Sequence, residues 1–268
     1  MASGLRQRVP TALLLAALVV FILFRLPPGV AVAAVMVVVA AGAWEWAGLA
    51  GITAQSGRIA YAAAVMSCVG LAWLLATPSL RLLLWCSAAW WLVATTWVIL
   101  APGAGGRWIT ALSGFLVLVP AALGLGRIAE LVPDGQLLLL FLLVLIAAAD
   151  VGAYFGGRTF GRRKLAPRVS PNKTWEGFWS GIAAAAGAAV FGGWLFGAQL
   201  LPWVAVCVLV ALVSVVGDLV ESMFKRKAGL KDSSALLPGH GGVLDRLDSL
   251  SAAGPMFLLG LMVIGVPG

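Results

Sequence analysis

The sequence predicts an all-α fold, a polytopic bundle of transmembrane helices, and three observations support this. The 268-residue chain is 62% apolar and 10% charged, with a mean hydropathy of +1.05, whereas soluble domains carry about 25% charged residues. Apolar runs of 16 to 22 residues recur along the chain, and about 20 helical residues cross a bilayer core. Because these runs are continuous and do not alternate, they favour helices over a membrane β-barrel.

Nine spans are predicted, and the breaks between them are polar or helix-breaking, such as Pro27-Pro28, Pro102-Gly103 and Pro202. In chain order the predicted spans are 11–26, 29–46, 59–77, 80–100, 108–126, 136–155, 177–198, 202–223 and 249–266. The first run could also be a signal peptide, but further spans follow it, which favours an uncleaved helix.

The basic residues predict the orientation of the bundle. With nine spans and a cytoplasmic N-terminus, all Lys and Arg residues except Arg25, Arg81 and Arg127 fall on the cytoplasmic side, as the positive-inside rule requires. The net charge of +8 therefore indicates an anion-attracting membrane face and no nucleic-acid partner. Three cysteines inside apolar runs and a single histidine argue against a disulfide framework and against a His/Cys metal site.

The two halves of the chain differ in polar content. Residues 1–135 are predicted to be N-terminal transmembrane helices that form a membrane scaffold, and the sequence assigns them no other role. Residues 136–268 are predicted to be the catalytic region, with cytoplasmic loops at 156–176 and 224–248. Several acids of the chain lie within apolar runs, and an ionised group at mid-bilayer costs at least about 2.5–3.5 kcal/mol. Such acids are expected to face a cavity and to have a function.

The first polar segment runs over 150–177. Asp150 and Tyr154 are four residues apart and share a helix face. Three glycines are then expected to break the helix and let backbone N–H groups approach an anion: Gly156, Gly157 and Gly161. Ser170 or Thr174 can cap the next helix, whose N-terminus favours a phosphate. In that helix, Gly177-x-x-x-Gly181 permits a close helix contact.

The second polar segment lies near the end of the chain. Asp218 and Glu221 are three residues apart on one helix, and Lys225 follows four residues after Glu221. Asp245 and Asp248 are again three apart, at the expected start of the ninth helix. Carboxylates beside a basic loop suit Mg²⁺ that bridges phosphates, and four acids could hold two ions about 3.5–4 Å apart. Surface ion pairs at helical spacing are the plainer interpretation.

The turn His240-Gly241-Gly242 stands directly before these last aspartates. Its glycines let the backbone approach a ligand. His240 could bind phosphate, act as a general acid or base, or serve as a hydrogen-bonded turn residue. Arg246 could pair with a carboxylate or clamp a phosphate through two hydrogen bonds.

The second segment resembles the signature of the phosphatidate cytidylyltransferase (CDP-diacylglycerol synthase) family. The resemblance is carried by Ser222-Met223-Phe224-Lys225-Arg226, Lys231-Asp232, Ser234, Pro238, His240-Gly241-Gly242, Asp245-Arg246 and Asp248. Residues 170–174 (SPNKT) with Glu176-Gly177, and Asp150 with Tyr154, are also similar to that family. The resemblance covers roughly 150–250, and the earlier spans match only in being hydrophobic.

The resemblance implies an enzyme of phospholipid biosynthesis in the cell inner membrane, a multi-pass protein that is often a homodimer. It implies transfer of the cytidylyl group of CTP to phosphatidic acid, which gives CDP-diacylglycerol and pyrophosphate. The implied cofactor is Mg²⁺, and two metal ions, one of them monovalent, are an alternative. Since the lipid phosphate is already ionised, we expect positioning and electrostatics to carry the catalysis, with no protein nucleophile.

Residue roles follow from the matched motifs. The expected metal ligands are Asp218, Glu221, Asp245 and Asp248, and the expected catalytic residues are Asp218, Asp245, Asp248, Lys173 and His240. The expected substrate- and phosphate-binding residues are Tyr154, Ser170, Asn172, Lys173, Lys225, Arg226, Lys231, Gly241, Gly242 and Arg246. Asp150 and Glu176 are expected to contact these residues and hold them in place without binding substrate or metal directly.

Three other functions compete with this interpretation. A polyprenol kinase or an archaeal-type CDP-lipid synthase would also use CTP, but a kinase transfers the terminal phosphate. A transporter or channel would use intramembrane acids as an ion path, yet the polar residues crowd one face of the membrane. A CDP-alcohol phosphotransferase expects an Asp-Gly and Ala-Arg spacing that this sequence lacks.

Overall fold

The helices of the chain follow its apolar runs. The computed structural model describes residues 14, 16–236 and 241–265. Within them the helices are α1 Ala16–Arg25, α2 Pro28–Leu49, α3 Gln55–Trp73, α4 Thr77–Leu100, α5 Arg107–Glu130, α6 Gly135–Phe160, α7 Trp175–Leu195, α8 Leu200–Lys227 and α9 Leu244–Ile264. Two short antiparallel strands, β1 Lys164–Ala166 and β2 Ser170–Thr174, form a hairpin between α6 and α7.

Among the described residues, seven helices are long and apolar enough to cross a membrane: α2 and α4 to α9. Helix α3 is outside this set because its first turn is the polar stretch 55–58 (QSGR). The short α1 is also outside the set, and the predicted span 11–26 lies partly beyond the described residues. The all-α polytopic fold is confirmed, while the nine spans and the cytoplasmic N-terminus stay predictions.

Helices α5 and α9 form the centre of the bundle. Of their apolar stretches, 72% and 67% are buried inside the molecule. They cross where Gly124 meets the backbone of Gly254 and Pro255, and a side chain at position 124 would collide with that backbone. Buried residues from both sides of the predicted boundary at 135 belong to one hydrophobic cluster. The N-terminal helices therefore share a core with the predicted catalytic region.

Buried hydrogen bonds join the N-terminal helices to α5. Trp46 of α2, which is 1% exposed, donates its indole N–H to the Thr110 carbonyl at 2.8 Å. Tyr61 of α3 donates its hydroxyl to the Ala111 carbonyl at 2.6 Å. The Trp46 ring also packs on Phe224 of α8 with centroids 5.2 Å apart. Helix α2 is thus fixed against the end of α8 that carries the basic residues.

The connection between α6 and α7 differs from the prediction. Helix α6 continues through Gly156 and Gly157 to Phe160, so the expectation that these two glycines break the helix is wrong. The physical reason is that Gly156 faces α7, where a Cβ would collide with the side chain of Ser180. The β1–β2 hairpin was not predicted, since strands of three and five residues are too short to show alternation. The connecting segments are correspondingly shorter than predicted, at 161–174 and 228–243.

Candidate active site

A cavity of about 480 Å³ opens between α6, α7 and α8, beside the β1–β2 hairpin. Its lining combines apolar side chains with polar groups from several elements. The polar residues that line it are Asp150, Tyr154, Arg158, Asn172, Lys173, Thr174, Asp218 and Ser249. The fold therefore brings residues of both polar segments to one place.

Close packing of α6 against α7 shapes this cavity. A Cβ at Gly181 would lie 2.7 Å from the backbone oxygen of Ala149, and a Cβ at Gly177 would lie 2.8 Å from that of Ala153. The predicted close contact at Gly177-x-x-x-Gly181 is thus confirmed. On the α6 side of this contact, Asp150 lines the cavity.

Hydrogen bonds from backbone N–H groups to side-chain oxygens hold the hairpin against the start of α7. The Glu176 carboxylate accepts hydrogen bonds from the N–H groups of Arg162 at 3.0 Å and Arg163 at 3.2 Å. The Thr174 hydroxyl oxygen accepts one from the Gly177 N–H at 3.2 Å, which confirms Thr174 as the cap of α7. Glu176 therefore orders the loop backbone, and β2 is fixed at the edge of the cavity.

Lys173 of β2 and Asp218 of α8 form an ion pair in the cavity wall. Lys173 Nζ lies 2.5 Å from Asp218 Oδ2, and the two side chains are 27% and 25% exposed. Ser222 donates its hydroxyl to Asp218 Oδ1 at 3.3 Å. Asp150 of α6 lines the same cavity. A partly exposed pair of this kind keeps its lysine accessible to an incoming anion.

A second lysine–aspartate pair lies further along α8 and is buried. Lys225 Nζ lies 2.6 Å from Asp245 Oδ1 and 3.0 Å from Glu221 Oε1. The side chains of Lys225, Asp245 and Glu221 are 11%, 9% and 3% exposed. Glu221 and Lys225 thus form the ion pair at helical spacing that was the plainer alternative to metal and phosphate binding. Lys225, predicted to bind phosphates, is here enclosed by two carboxylates of the protein.

The Gly241-Gly242 turn wraps around one of these carboxylates. Asp245 Oδ2 accepts hydrogen bonds from the Gly242 N–H at 2.7 Å and from the Ser233 N–H at 3.0 Å. Gly241 has a φ of +78°, and a Cβ there would lie 2.7 Å from Asp245 Oδ2. Glycine adopts such a φ readily, so the turn can approach Asp245 closely. Phosphate binding by these two glycines stays a prediction.

Glu45 of α2 belongs to the same network, although the sequence did not single it out. Its side chain is 1% exposed. Its carboxylate accepts hydrogen bonds from four donors in the α8–α9 connection and the start of α9: Ser233 Oγ at 2.9 Å, Ser234 Oγ at 2.5 Å, Val243 N at 3.0 Å and Leu244 N at 2.6 Å. The sequence did contain one signal for this residue. Glu45 is a single acid within an apolar run, and such a buried acid needs hydrogen-bond or ion-pair partners.

Asp248 lies where α9 crosses α8. A Cβ at Gly217 would lie 2.5 Å from the Asp248 backbone oxygen, so the two helices touch at this point. Asp218 directly follows Gly217 and therefore belongs to the same helix crossing as Asp248. Within the described ranges 16–236 and 241–265, no group of three or more His, Cys, Asp or Glu side chains is arranged to hold a metal ion. The four predicted metal ligands therefore do not converge on one point.

The remaining predicted residues lie at the edges of this region. Arg226 and Lys231 are exposed at the end of α8 and in the connection after it, and Arg246 is exposed on the first turn of α9. Ser170 is half-buried in β2 and lies outside the cavity lining. His240 lies outside the described residues, so its three alternative roles stay predictions.

Comparison with known proteins adds an independent finding. Residues 6–264 match the model of a family described as the cytidylyltransferase family. A phosphatidate cytidylyltransferase of Pseudomonas aeruginosa is 46% identical over 268 residues, which covers 97% of this chain and 98% of the relative. A protein of the same name from Haemophilus influenzae is 54% identical over 129 residues, 46% of this chain and 45% of the relative. Another, from Brucella suis, is 44% identical over 147 residues, 52% of each chain.

Proposed function

We propose a function for this chain from the premise that it belongs to the cytidylyltransferase family. It transfers the cytidylyl group of CTP to phosphatidic acid, giving CDP-diacylglycerol and pyrophosphate for phospholipid synthesis. The observation that carries the residue assignment is the Lys173–Asp218 pair in the wall of a polar cavity, within a bundle of membrane-spanning helices. That setting suits a reaction between a lipid and an aqueous nucleotide.

The reaction needs charge neutralisation more than it needs a protein nucleophile. An oxygen of the lipid phosphate forms a bond to the α-phosphorus of CTP, and the bond from that phosphorus to the β-phosphate bridging oxygen breaks. Pyrophosphate leaves with the electron pair of the broken bond. Both reactants are anions, so fixed cations must offset their repulsion and stabilise the leaving group. Lys173 and Arg158, which both line the cavity, are the side chains we assign to this task.

Lys173 is suited to exchange its partner during binding. In this structure its ammonium group contacts Asp218, and both side chains are about a quarter exposed, at 27% and 25%. Water reaches both groups of a partly exposed ion pair, so the pair costs less to separate than a buried one, and an incoming phosphate can take the lysine. The Asp218 carboxylate would then be available as an oxygen ligand.

The donor chemistry of Asp218 and Asp248 fits Mg²⁺. Both residues lie at the crossing of α8 and α9, where Gly217 meets the Asp248 backbone, and a divalent cation would offset the repulsion between two carboxylates there. Mg²⁺ takes one or two protein carboxylates and completes its shell with water and substrate phosphate, which agrees with a site of fewer than three acids among the described residues. Bound there, the ion would neutralise the triphosphate and the leaving pyrophosphate. Asp245 and Glu221 are paired with Lys225. We therefore propose that they hold α8 and α9 together and do not bind the Mg²⁺ ion.

An apolar cavity beside the polar one suits the lipid tails. It has a volume of about 590 Å³ and lies between α4, α8 and the hairpin. Leu165, Phe178 and Val215 line both cavities, so the two are contiguous. We propose that an acyl chain of phosphatidic acid occupies the apolar cavity while its phosphate enters the polar one, beside the CTP phosphates that Lys173 binds.

The membrane topology belongs to the same proposal. We propose nine spans with a cytoplasmic N-terminus in the inner membrane, because this arrangement places all but three Lys and Arg residues on the cytoplasmic side. The polar cavity then faces the compartment that holds CTP. A homodimer is proposed from the family resemblance alone.

One assay tests the proposed function. Purified protein is incubated with Mg²⁺, phosphatidic acid and CTP that carries label in either the α- or the γ-phosphate. We expect α-label in the lipid fraction and γ-label in pyrophosphate. Transfer of the γ-label to lipid, with release of CDP, would show a lipid kinase instead. Absence of any lipid product at saturating CTP would overturn the proposal.

A further inference from the structure

We propose that Glu45 is a positioning residue for this transfer, a role that rests on the proposed function. From the N-terminal half of the chain, it holds the α8–α9 connection and the first turn of α9 in place. Through that turn it orients Asp245 towards Lys225 and Asp248 towards the α8 crossing. The helices before residue 136 would then contribute to the active site as well as to the membrane scaffold.

The Glu45 carboxylate takes the place of a helix cap that α9 lacks. The residue before α9 is Val243, which has no side chain able to cap, and the helix begins with Leu244. The first N–H groups of a helix have no partners within the helix and carry partial positive charge. Glu45 accepts hydrogen bonds from two of them, Val243 N at 3.0 Å and Leu244 N at 2.6 Å. A buried anion on α2 thus fixes where α9 starts.

The same carboxylate fixes the connection that precedes α9. Ser234 donates its hydroxyl to Glu45 at 2.5 Å, and the Ser233 hydroxyl lies 2.9 Å from Glu45 and 3.0 Å from Asp245. A Cβ at Gly242 would lie 2.6 Å and 2.7 Å from the two Glu45 oxygens. The connection is therefore clamped between two carboxylates, and the glycine at 242 is required by that clamp.

The contacts of Glu45 make a positioning role separable from a stability role. Its four hydrogen-bond donors are all neutral. Removal of its charge therefore leaves no buried ion without a partner, whereas removal of Lys225 would leave the carboxylates of Glu221 and Asp245 without theirs. The first turn of α9 would shift slightly while the bundle stays folded. A misplacement of about 1 Å can cost about 100-fold in rate.

The test compares Glu45→Gln and Glu45→Asp with a matched control, Glu130→Gln. Glu130 is also a helix acid, but it pairs with Arg127 at the surface, 3.3 Å away. For each purified variant, kcat and KM are measured per folded molecule, together with the unfolding midpoint. We expect Glu45→Gln to lower kcat per folded molecule about 10- to 100-fold, with the KM for CTP close to wild type. Its unfolding midpoint should fall moderately, because the Gln amide nitrogen cannot accept a hydrogen bond from Val243 N or Leu244 N. Glu45→Asp should recover part of kcat, and Glu130→Gln should behave as wild type.

A protease readout follows the connection directly. Lys231 is exposed within it, so trypsin cleavage after Lys231 should become faster in Glu45→Gln and stay at the wild-type rate in Glu130→Gln. If Glu45→Gln does not fold, Ser234→Ala is tested in its place. This variant removes one hydrogen-bond donor to Glu45, leaves the carboxylate unchanged and should also lower kcat. Wild-type kcat in Glu45→Gln, or in Ser234→Ala when it is the variant tested, would overturn the inference. An inactive wild-type protein would instead overturn the proposed function.

Discussion

The molecule contains two lysine–aspartate pairs that share their chemistry and differ in their surroundings. Lys173 and Asp218 lie in a cavity wall, with side chains 27% and 25% exposed. Lys225 and Asp245 lie between α8 and α9, with side chains 11% and 9% exposed, and Glu221 joins them. Sequence analysis assigned all five residues to one phosphate and metal site.

The two pairs differ in exposure, and we infer from this that one pair binds ligands while the other holds two helices together. Partners in a partly exposed pair part at a lower cost than buried partners, since water can reach both groups. To break a buried pair is expensive, because the charge left behind stays desolvated. We therefore assign Lys173 and Asp218 to substrate and Mg²⁺, and Lys225 and Asp245 to holding α9 against α8.

The largest effect is expected from loss of the buried cation. Lys225→Met leaves Glu221 and Asp245 buried without their partner and should lower the free energy of unfolding by about 3–5 kcal/mol. Unfolding in detergent, followed by circular dichroism, measures this. Lys231→Met, an exposed lysine nearby, should change it by less than about 0.5 kcal/mol. Equal stability of wild type and Lys225→Met would contradict the assignment of a supporting role.

Loss of the cavity carboxylate should affect rate and not stability. Asp218→Asn removes the proposed Mg²⁺ ligand and should lower kcat/KM about 100- to 1,000-fold, as removal of a group that stabilises transition-state charge does. Its unfolding midpoint should stay near that of wild type, because Asp218 is 25% exposed. Asp134→Asn, an exposed acid before α6, is the control. A fully active Asp218→Asn protein would show that this cavity is not where the reaction takes place.

Loss of the cavity lysine should weaken nucleotide binding. A hydrogen bond to a charged group is worth about 1.5–3 kcal/mol, so Lys173→Met should raise the Kd for CTP roughly 10- to 100-fold. Lys164→Met, in the same hairpin but outside the cavity lining, should bind CTP as wild type does. Titration calorimetry in detergent distinguishes these outcomes, and unchanged affinity in Lys173→Met would refute the role.

The smallest effect concerns the hairpin that carries Lys173. Thr174→Ala removes the oxygen that accepts a hydrogen bond from Gly177 N and should cost about 1 kcal/mol of stability. Thr174→Ser keeps that oxygen and should restore most of the loss. A Ser variant no better than the Ala variant would show that the methyl group, and not the cap, matters.

Local patterns predicted most of the helices and the residues of the cavity. Apolar length located most of the helices, and helical spacing placed Glu221 and Lys225 on one helix face and Asp150 on the same face as Tyr154. The continuation of α6 through Gly156 could not be predicted, because a glycine that breaks a helix looks the same as one that packs against a neighbour. The sequence around Gly156 does not reveal that α7 packs against this part of α6.

The support for α9 was hidden for a different reason. Glu45 meets donors that are 188 to 199 positions away in the chain, a separation that periodicity does not report. The spacing of Asp245 and Asp248 suggested two equivalent ligands. Only the fold shows that the Gly241-Gly242 turn encloses one of them, while the other lies near Asp218.

The most direct test is lysine footprinting of the wild-type protein with an acylating reagent, read by mass spectrometry with and without CTP and Mg²⁺. Without ligand, Lys173 and Lys164 should be modified and Lys225 should not be. Saturating CTP should protect Lys173 and leave Lys164 as reactive as before. Modification of Lys173 that CTP does not change, or a reactive Lys225 that CTP protects, would contradict the division between a binding pair and a supporting pair.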